Sequence, residues 1–289
     1  MQQANASDNL LVLGTAQDGG YPHTGCSEDC CREAWKDSNQ KRLIASLAVL
    51  DGKDCFLVDI TPDFKYQLQL IEHHINDKPR ISGICITHAH LGHYMGLLEL
   101  GLEVMNTNAI PVYVMPEMKS FLENNAPFTQ LLELHNIRLL ALQDNYPIDI
   151  FKDVKITPFQ VPHRNEYSET VGYRIQTSHQ SALYIPDIDS WDGWDTDINE
   201  LIKESDIAFL DGTFYDKTEL KNRDVSAIPH PSIRESIKQF STLDKMDRKK
   251  VNFTHLNHTN NVLREGSEAR KDVIQQGFQI AYDGMVISI

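Results

Sequence analysis

The sequence predicts an α/β chain of two similar halves, with sheets packed on each other and helices outside. Short, β-branched apolar runs bounded by turn residues recur along the chain. Segments with helical spacing fall between them. Strand pairs come first and strand–helix alternation next, and the second half repeats this, which suits sheets covered by helices. The 289 residues are read as one domain over 1–289, its halves divided near residue 150.

The strand-like runs are "LLVLGT" (10–15), "LIASLAVLDG" (43–52), "CFLVDI" (55–60), "ISGICITH" (81–88) and "IPVYVM" (110–115). The second half adds "VKITPFQVPH" (154–163), "VGYRIQT" (171–177), "SALYIPDI" (181–188), "IAFLDGT" (207–213) and "KVNFTH" (250–255), and "GFQIAYDGMVISI" (277–289) closes the chain. "TPDFKYQLQLIEHHI" reads as a helix capped by Thr61 with Pro62 at its first position. "HYMGLLELGLEVM", "EMKSFLENN", "DINELIKES", "SIRESIKQFS" and "EGSEARKDVIQQG" also carry helical spacing.

Hydrophobic content of 41% and charged content of 24% belong to an ordinary globular chain. No apolar run approaches the roughly 18 residues needed to cross a membrane. The start, "MQQANASDNL", lacks a basic end followed by an apolar stretch, so a cytoplasmic location is expected, although a removed signal peptide would leave no trace. A net charge of −14 disfavours non-specific nucleic-acid binding. A small-molecule substrate is the expected partner; oligomeric state stays open, a homodimer included.

The chemistry concentrates in "THAHLGHYMGLLELG", residues 87–101, which places His88, His90 and His93 within six residues. A strand ending in "ICITH" puts His88 and His90 at its C-terminal end, where α/β folds gather ligands, and His93 in the first turn of a helix. Imidazoles so close cannot all be protonated cheaply, so they favour a shared cation. The competing reading is a polar surface loop. "VPHRN" places His163 at another strand end, "YIPDIDS" places Asp187 and Asp189, and "FTHLNHTN" places His255 with His258 one turn later. Asp211 in "FLDGT" reads as a ligand, as an acceptor for an imidazole N–H, or as a turn former before Gly212. His230, between prolines in "IPHPS", reads as an ordered loop residue or as facing the pocket.

These strand-end ligand types resemble the metallo-β-lactamase superfamily through nearly the whole chain. The resemblance implies an αβ/βα four-layer sandwich with a two-metal site between the sheets. Carried over by position, His88, His90 and His163 would hold one metal, His93 and His255 the second, and Asp187 would bridge them. "LGTAQDGG", "DGTFYD", "HLNHTN" and "AYDGMVISI" resemble the pyrroloquinoline quinone biosynthesis protein B group. The cysteine cluster with "THLNH" is similar to the phosphoribosyl cyclic phosphodiesterase of phosphonate breakdown. The usual superfamily motif is HxHxDH. Here the position of its Asp is Gly92, so the second site is expected to be short of one anion.

Five cysteines argue weakly against a disulfide framework. Cys55 and Cys85 lie in apolar runs and read as buried strand residues. Cys26, Cys30 and Cys31 in "GCSEDCCREAW" could form three-quarters of a zinc site. The cyclic phosphodiesterase resemblance implies His258 as the fourth ligand. Its CxCxxC spacing is here CxxxCC, and adjacent cysteines are expected to point differently, which puts one of them in doubt. Reactive free thiols and an oxidised pair are the other readings.

Three functions compete. The leading one is a metallo-hydrolase, by resemblance a phosphodiesterase, in which a metal-bound hydroxide attacks the substrate; Asp187, His255 and Asp211 are its candidate catalytic residues. The expected ions are one structural Zn2+ and one or two Zn2+ in the histidine site, with Fe2+ or Mn2+ as alternatives there. The second is an iron-dependent oxidoreductase of the quinone-biosynthesis type, since histidine–carboxylate sites suit Fe(II). The third, supported by Gly92, is a non-catalytic metal-binding relative. The loops around Asn125 to Thr129 and Trp191 to Trp194 are candidates for the pocket rim.

Overall fold

The computed structural model of the chain describes residues 9–219 and 228–289. Strands β1 (Asn9–Gly14), β2 (Ser46–Asp51), β3 (Asp54–Val58), β4 (Arg80–Cys85), β5 (Ile110–Val114) and β6 (Ile137–Ala141) form one sheet. The last strand, β14 (Val286–Ser288), returns to its edge, giving the order β14-β1-β2-β3-β4-β5-β6. The second sheet contains β7 (Ile148–Phe151), β8 (Val154–Gln160), β9 (Val171–Gln176), β10 (Ser181–Ile185), β11 (Ile207–Asp211), β12 (Val251–Thr254) and β13 (Gln279–Ile280), in the order β13-β12-β11-β10-β9-β8-β7. In each sheet antiparallel pairs come first, β1 to β3 and β7 to β10. Parallel pairs follow, β3 to β6 and β10 to β13.

The central strands are buried and apolar on both faces, as continuous hydrophobic runs require. Leu10, Val12, Val49 and Phe56 of the first sheet pack against Tyr173, Ile175, Tyr184 and Phe209 of the second. Their neighbours Leu11, Leu13, Ala48 and Leu57 face the other way, onto Phe64, Ile71 and Leu122 of helices Phe64–Ile75 and Pro116–Asn124. Leu183, Ile185, Ala208 and Leu210 face Ile198, Ile202 and Val273 of helices Ile198–Lys203 and Glu268–Gln275. The alternation places one core between the sheets and one under each helical layer, which is the αβ/βα sandwich.

Several expectations need correcting. Helix Phe64–Ile75 starts after the predicted cap, because Thr61 Oγ1 instead accepts from the Asp63 amide (3.0 Å) and donates to Gln67 Oε1 (2.9 Å). "HYMGLLELGLEVM" is not one helix: a single turn, Leu91–Tyr94, passes into the 3-10 segment Met95–Leu100. The buried Gly96 fits there because a Cβ would lie 2.3 Å from the Thr61 carbonyl oxygen. The closing run is two strands, β13 and β14, in different sheets.

The turn between those two strands carries Asp283, whose carboxylate accepts from Thr15 Oγ1 and from the Leu43 amide, each at 2.7 Å. Burial raises its pKa from 3.8 to about 6, with the two hydrogen bonds opposing. A raised carboxyl stabilises the fold below its unfolded pKa, and that contribution is lost as pH rises through 6. The side chain is partly exposed, so the loss is about 1–3 kcal/mol rather than the full conversion. The stability advantage of wild type over Asp283→Asn, measured by urea unfolding, should therefore narrow from pH 4.5 to 7.5. A constant difference would reject this account.

Candidate metal centre

The site forms where strand C-terminal ends meet. β8 and β10 both run antiparallel to β9, so their C-terminal ends lie on one side, and β11 and β12 are parallel to β10. His163 follows β8, Asp187 follows β10, and His255 follows β12. From the other sheet, His88 and His90 follow β4, and His93 lies in the turn Leu91–Tyr94. The sheets are tied there by Tyr173 Oη donating to the Ile86 carbonyl (2.7 Å) and by the Val171 amide donating to the Thr87 carbonyl (3.1 Å).

His90 Nδ1 lies 2.8 Å from His88 Nε2 and 3.2 Å from His163 Nε2, so three ring nitrogens face one point. Asp187 Oδ2 lies 3.0 Å from His93 Nε2, 3.2 Å from His255 Nε2 and 3.8 Å from His88 Nε2. Its Oδ1 lies 3.7 Å from His163 Nε2. Asp187 thus stands between two groups, His88–His90–His163 and Asp18–His93–His255. In the second, Asp18 Oδ1 is 3.6 Å from His93 Nε2.

The outward edge of each imidazole is fixed. His93 Nδ1 donates to Asp59 (2.7 Å) and His163 Nδ1 to Asp189 (2.7 Å). His88 Nδ1 pairs with Thr87 Oγ1 (3.0 Å), and His255 Nδ1 with Thr213 Oγ1 (3.0 Å). Such partners set the tautomer and leave the inward nitrogen with its lone pair. Asp59 and His255 adopt left-handed backbones, φ 67° and 56°, an uncommon conformation for non-glycine residues that clusters at functional sites.

Burial pushes His88, His90 and His255 below the usual histidine range, toward the neutral form that binds metals. Burial also opposes charge on His93, but Asp59 and Asp187 outweigh it and raise that group. For Asp187, burial favours the neutral acid; His255, His93 and the other imidazoles overcome it and hold the carboxyl well below its usual value.

Asp18 Oδ1, His93 Nε2, Asp187 Oδ2 and His255 Nε2 are buried without a hydrogen bond. Leaving such atoms unsatisfied is costly, and a cation among them would satisfy all four. The residues therefore fit divalent ions.

The cysteine cluster fits an ion as well. Cys26 Sγ lies 3.5 Å from Cys30 Sγ, which lies 4.0 Å from Cys31 Sγ. His258 Nδ1 is 3.4 and 3.3 Å from the sulfurs of Cys30 and Cys31. Zinc–sulfur bonds of about 2.3 Å at tetrahedral angles place sulfurs about 3.8 Å apart, close to this spacing. Both adjacent cysteines converge, contrary to expectation, because Cys30 and Cys31 lie in the first turn of helix Asp29–Lys36, which turns both toward His258. His258 is reached by a non-helical turn after His255. All five cysteines are free thiols, and Cys55 and Cys85 are buried in β3 and β4.

Asp211 is in neither histidine group. It accepts from His230 Nδ1 (2.7 Å) and from the Ile188 and Thr213 amides (3.1 and 2.9 Å). His230 is buried, 3.7 Å from Asp187. Burial disfavours its charge, but Asp211 outweighs burial and raises the pKa to about 9. It lines a cavity of about 410 Å³ with Asp189, Trp191, Lys217, Glu235 and Lys238. Trp191 in this rim is also a packing anchor, donating to Ser236 Oγ (2.8 Å), and Trp194 stacks on Phe159. Asn125 lines a separate cavity of about 400 Å³ with Glu166 and Tyr167, while Phe128 is buried.

Sequence reasoning missed Asp18 and Asp59. Asp59 ends an apolar run, and its burial was the available signal. Asp18 sits in "QDGG", a turn pattern without a metal signature. Its carboxylate lies beside His93 and His255, where the sequence leads one to expect a missing anion.

A mixed αβ/βα sandwich with histidines and a buried aspartate at its strand ends defines a metal-binding protein of the metallo-β-lactamase type. The chain belongs to that family: residues 55–256 match the β-lactamase superfamily domain. It is similar to coenzyme PQQ synthesis protein B of Xanthomonas campestris pv. campestris, 25% identical over 97% of this chain and 99% of that one. The Gluconacetobacter diazotrophicus protein of the same name is 27% identical, with the same coverage. Zinc-bound PqqB from Methylobacterium extorquens shares the fold with a TM-score of 0.82 at 23% identity, over 97% of this chain and all of that one. A diphosphatase from the PhnP family has a TM-score of 0.66 at 23% identity, covering 97% and 96%. Among the described residues, no helix is long and apolar enough to cross a membrane.

Proposed function

We propose that the chain is a metal-dependent hydrolase of phosphodiesters or related phosphoryl compounds, with one zinc in the cysteine site and one or two divalent ions in the histidine site. The observation that carries this reading is the set of buried, unsatisfied ligand atoms. The likeness to a PhnP-family diphosphatase supports the substrate class, and the zinc-bound PqqB structure supports zinc.

His88, His90 and His163 would hold one ion, His93 and His255 the other, and Asp187 would bridge them. Ions there supply Lewis acidity and lower the pKa of water. The chain's own residues do the rest. Asp59, Asp189, Thr87 and Thr213 fix the ring orientations. Asp211 accepts from His230 Nδ1, so a proton given to a leaving oxygen would come from Nε2. Lys217, paired with Glu235, and Lys238 line the same cavity.

General-acid loss costs roughly 10²–10⁴ in rate. His230→Ala should therefore slow hydrolysis of an alkyl phosphodiester about 100-fold or more. Bis(p-nitrophenyl) phosphate, whose leaving group needs no proton, should lose only a few-fold, with metal content unchanged. Equal loss on both substrates, or loss of an ion, would reject the acid role.

The full-length likeness to coenzyme PQQ synthesis protein B favours a second reading, an iron-dependent oxidoreductase of quinone cofactor synthesis. It requires iron in the histidine site and oxygen uptake with a tyrosine-like substrate. Zinc with no uptake would count against it.

A further inference from the structure

We propose that Asp18 supplies the carboxylate of the second metal position from the turn after β1, in space that any side chain at residue 92 would occupy. The inference rests on the metal-site reading above and concerns which residue completes it.

The two positions exclude each other. A Cβ on Gly92 would lie 2.1 Å from Asp18 Oδ1, 3.0 Å from its Cγ and 2.8 Å from its Cα. The last contact is with backbone, so rotating the Asp18 side chain does not relieve it. Gly92 lies in the short turn Leu91–Tyr94, next to His93, and is buried. A carboxylate at 92 and the present path of residue 18 therefore cannot coexist, and glycine at 92 is what lets Asp18 reach His93.

The turn carrying Asp18 is built to hold it there. Ala16 bridges to both Ile44 and Leu256, so the chain is clamped between the two sheets' connections. The Gln17 amide donates to the Leu256 carbonyl (3.0 Å), and Asn257 Nδ2 donates to Gln17 Oε1. The Gly20 amide closes the turn onto the Gln17 carbonyl (2.7 Å), with Gly20 at φ 70°. Leu256 follows His255, so the same contacts register Asp18 against a second ligand of its group. Asp18 Oδ1 nonetheless ends buried and without a hydrogen bond, beside the equally unsatisfied Nε2 atoms of His93 and His255. A carboxylate serving as a turn cap would have spent that oxygen on an amide.

The test is metal binding, read without activity. Full-length wild type, Asp18→Asn, Gly92→Asp and the double variant Asp18→Gly/Gly92→Asp are compared by elemental analysis as purified and by calorimetric titration with Mn2+. Asp18→Asn keeps the side-chain size and removes the charge; it should weaken the second Mn2+ by roughly 100-fold, in the range for perturbed metal sites. Gly92→Asp alone should also weaken it, because the carboxylates collide. The double variant should recover to within about tenfold of wild type, and the cysteine zinc should persist throughout. Unchanged Mn2+ binding in Asp18→Asn, or tighter binding in Gly92→Asp alone, would overturn the assignment. If the single variants unfold, recovery in the double variant still carries the test, and a double variant that binds no second ion overturns it. A chain that shows the expected binding yet cleaves no phosphodiester keeps the Asp18 assignment and loses the hydrolase reading.

Discussion

Asp187→Ala should abolish turnover and strip the histidine site while leaving the cysteine zinc in place. Asp187 is the buried anion faced by His88, His93, His163, His230 and His255. Without it the imidazoles remain in place, but nothing between the two groups offsets cationic charge. Electrostatic support from a metal site is worth several kcal/mol in the transition state, so hydrolysis should fall on the order of 1,000-fold or more. Asp187→Asn separates charge from shape: it should keep the fold and still lose an ion. Elemental analysis beside a phosphodiesterase assay checks both. An Asp187→Ala protein with full metal content and rate would reject Asp187 as the bridging group.

The second large effect is on stability. Cys31→Ser should remove one zinc per chain and lower Tm by roughly 5–8 °C, equivalent to about 3–5 kcal/mol at this chain length. Structural zinc sites hold apparent binding energies of about 10–16 kcal/mol in small peptides. Part of that is recovered here, because two sheets and three hydrophobic clusters remain. Burial pushes the Cys31 thiol up to about 12 and raises Cys30. The sulfurs are thus neutral thiols without an ion, and zinc uptake must release protons. The cluster joins distant chain, Cys26 to Cys31 on one side and His258 on the other, so its loss should free the segment that leads from Asp18 into the cysteine helix. Calorimetric unfolding with zinc analysis is the check. A variant with unchanged Tm would mean that the cluster has no structural role, and full zinc content would mean that Cys31 is not a ligand.

The elements legible in the sequence are the ones buried on both faces. β1, β2, β10, β11 and β12 read as continuous apolar runs because each faces a core on either side. β6 and β7 were not anticipated. They are the edge strands of their sheets, with mostly half-exposed or exposed residues, so "IRLLA" and "IDIF" carry little burial signal. The helix over Asp29–Lys36 carries little local signal either, since only Cys31 and Ala34 of its eight residues are buried.

The sequence by itself determined the ligand types, their placement at strand ends and the layered α/β architecture, because periodicity and side-chain chemistry are local. Only the tertiary structure decided the rest. It turned both adjacent cysteines to His258, paired His230 with Asp211, and brought Asp18 into the space above Gly92. Each of these depends on contacts between distant segments, such as the bridge from Ala16 to Leu256. No local pattern in "QDGG" or "LGHY" could register that those two stretches occupy one volume.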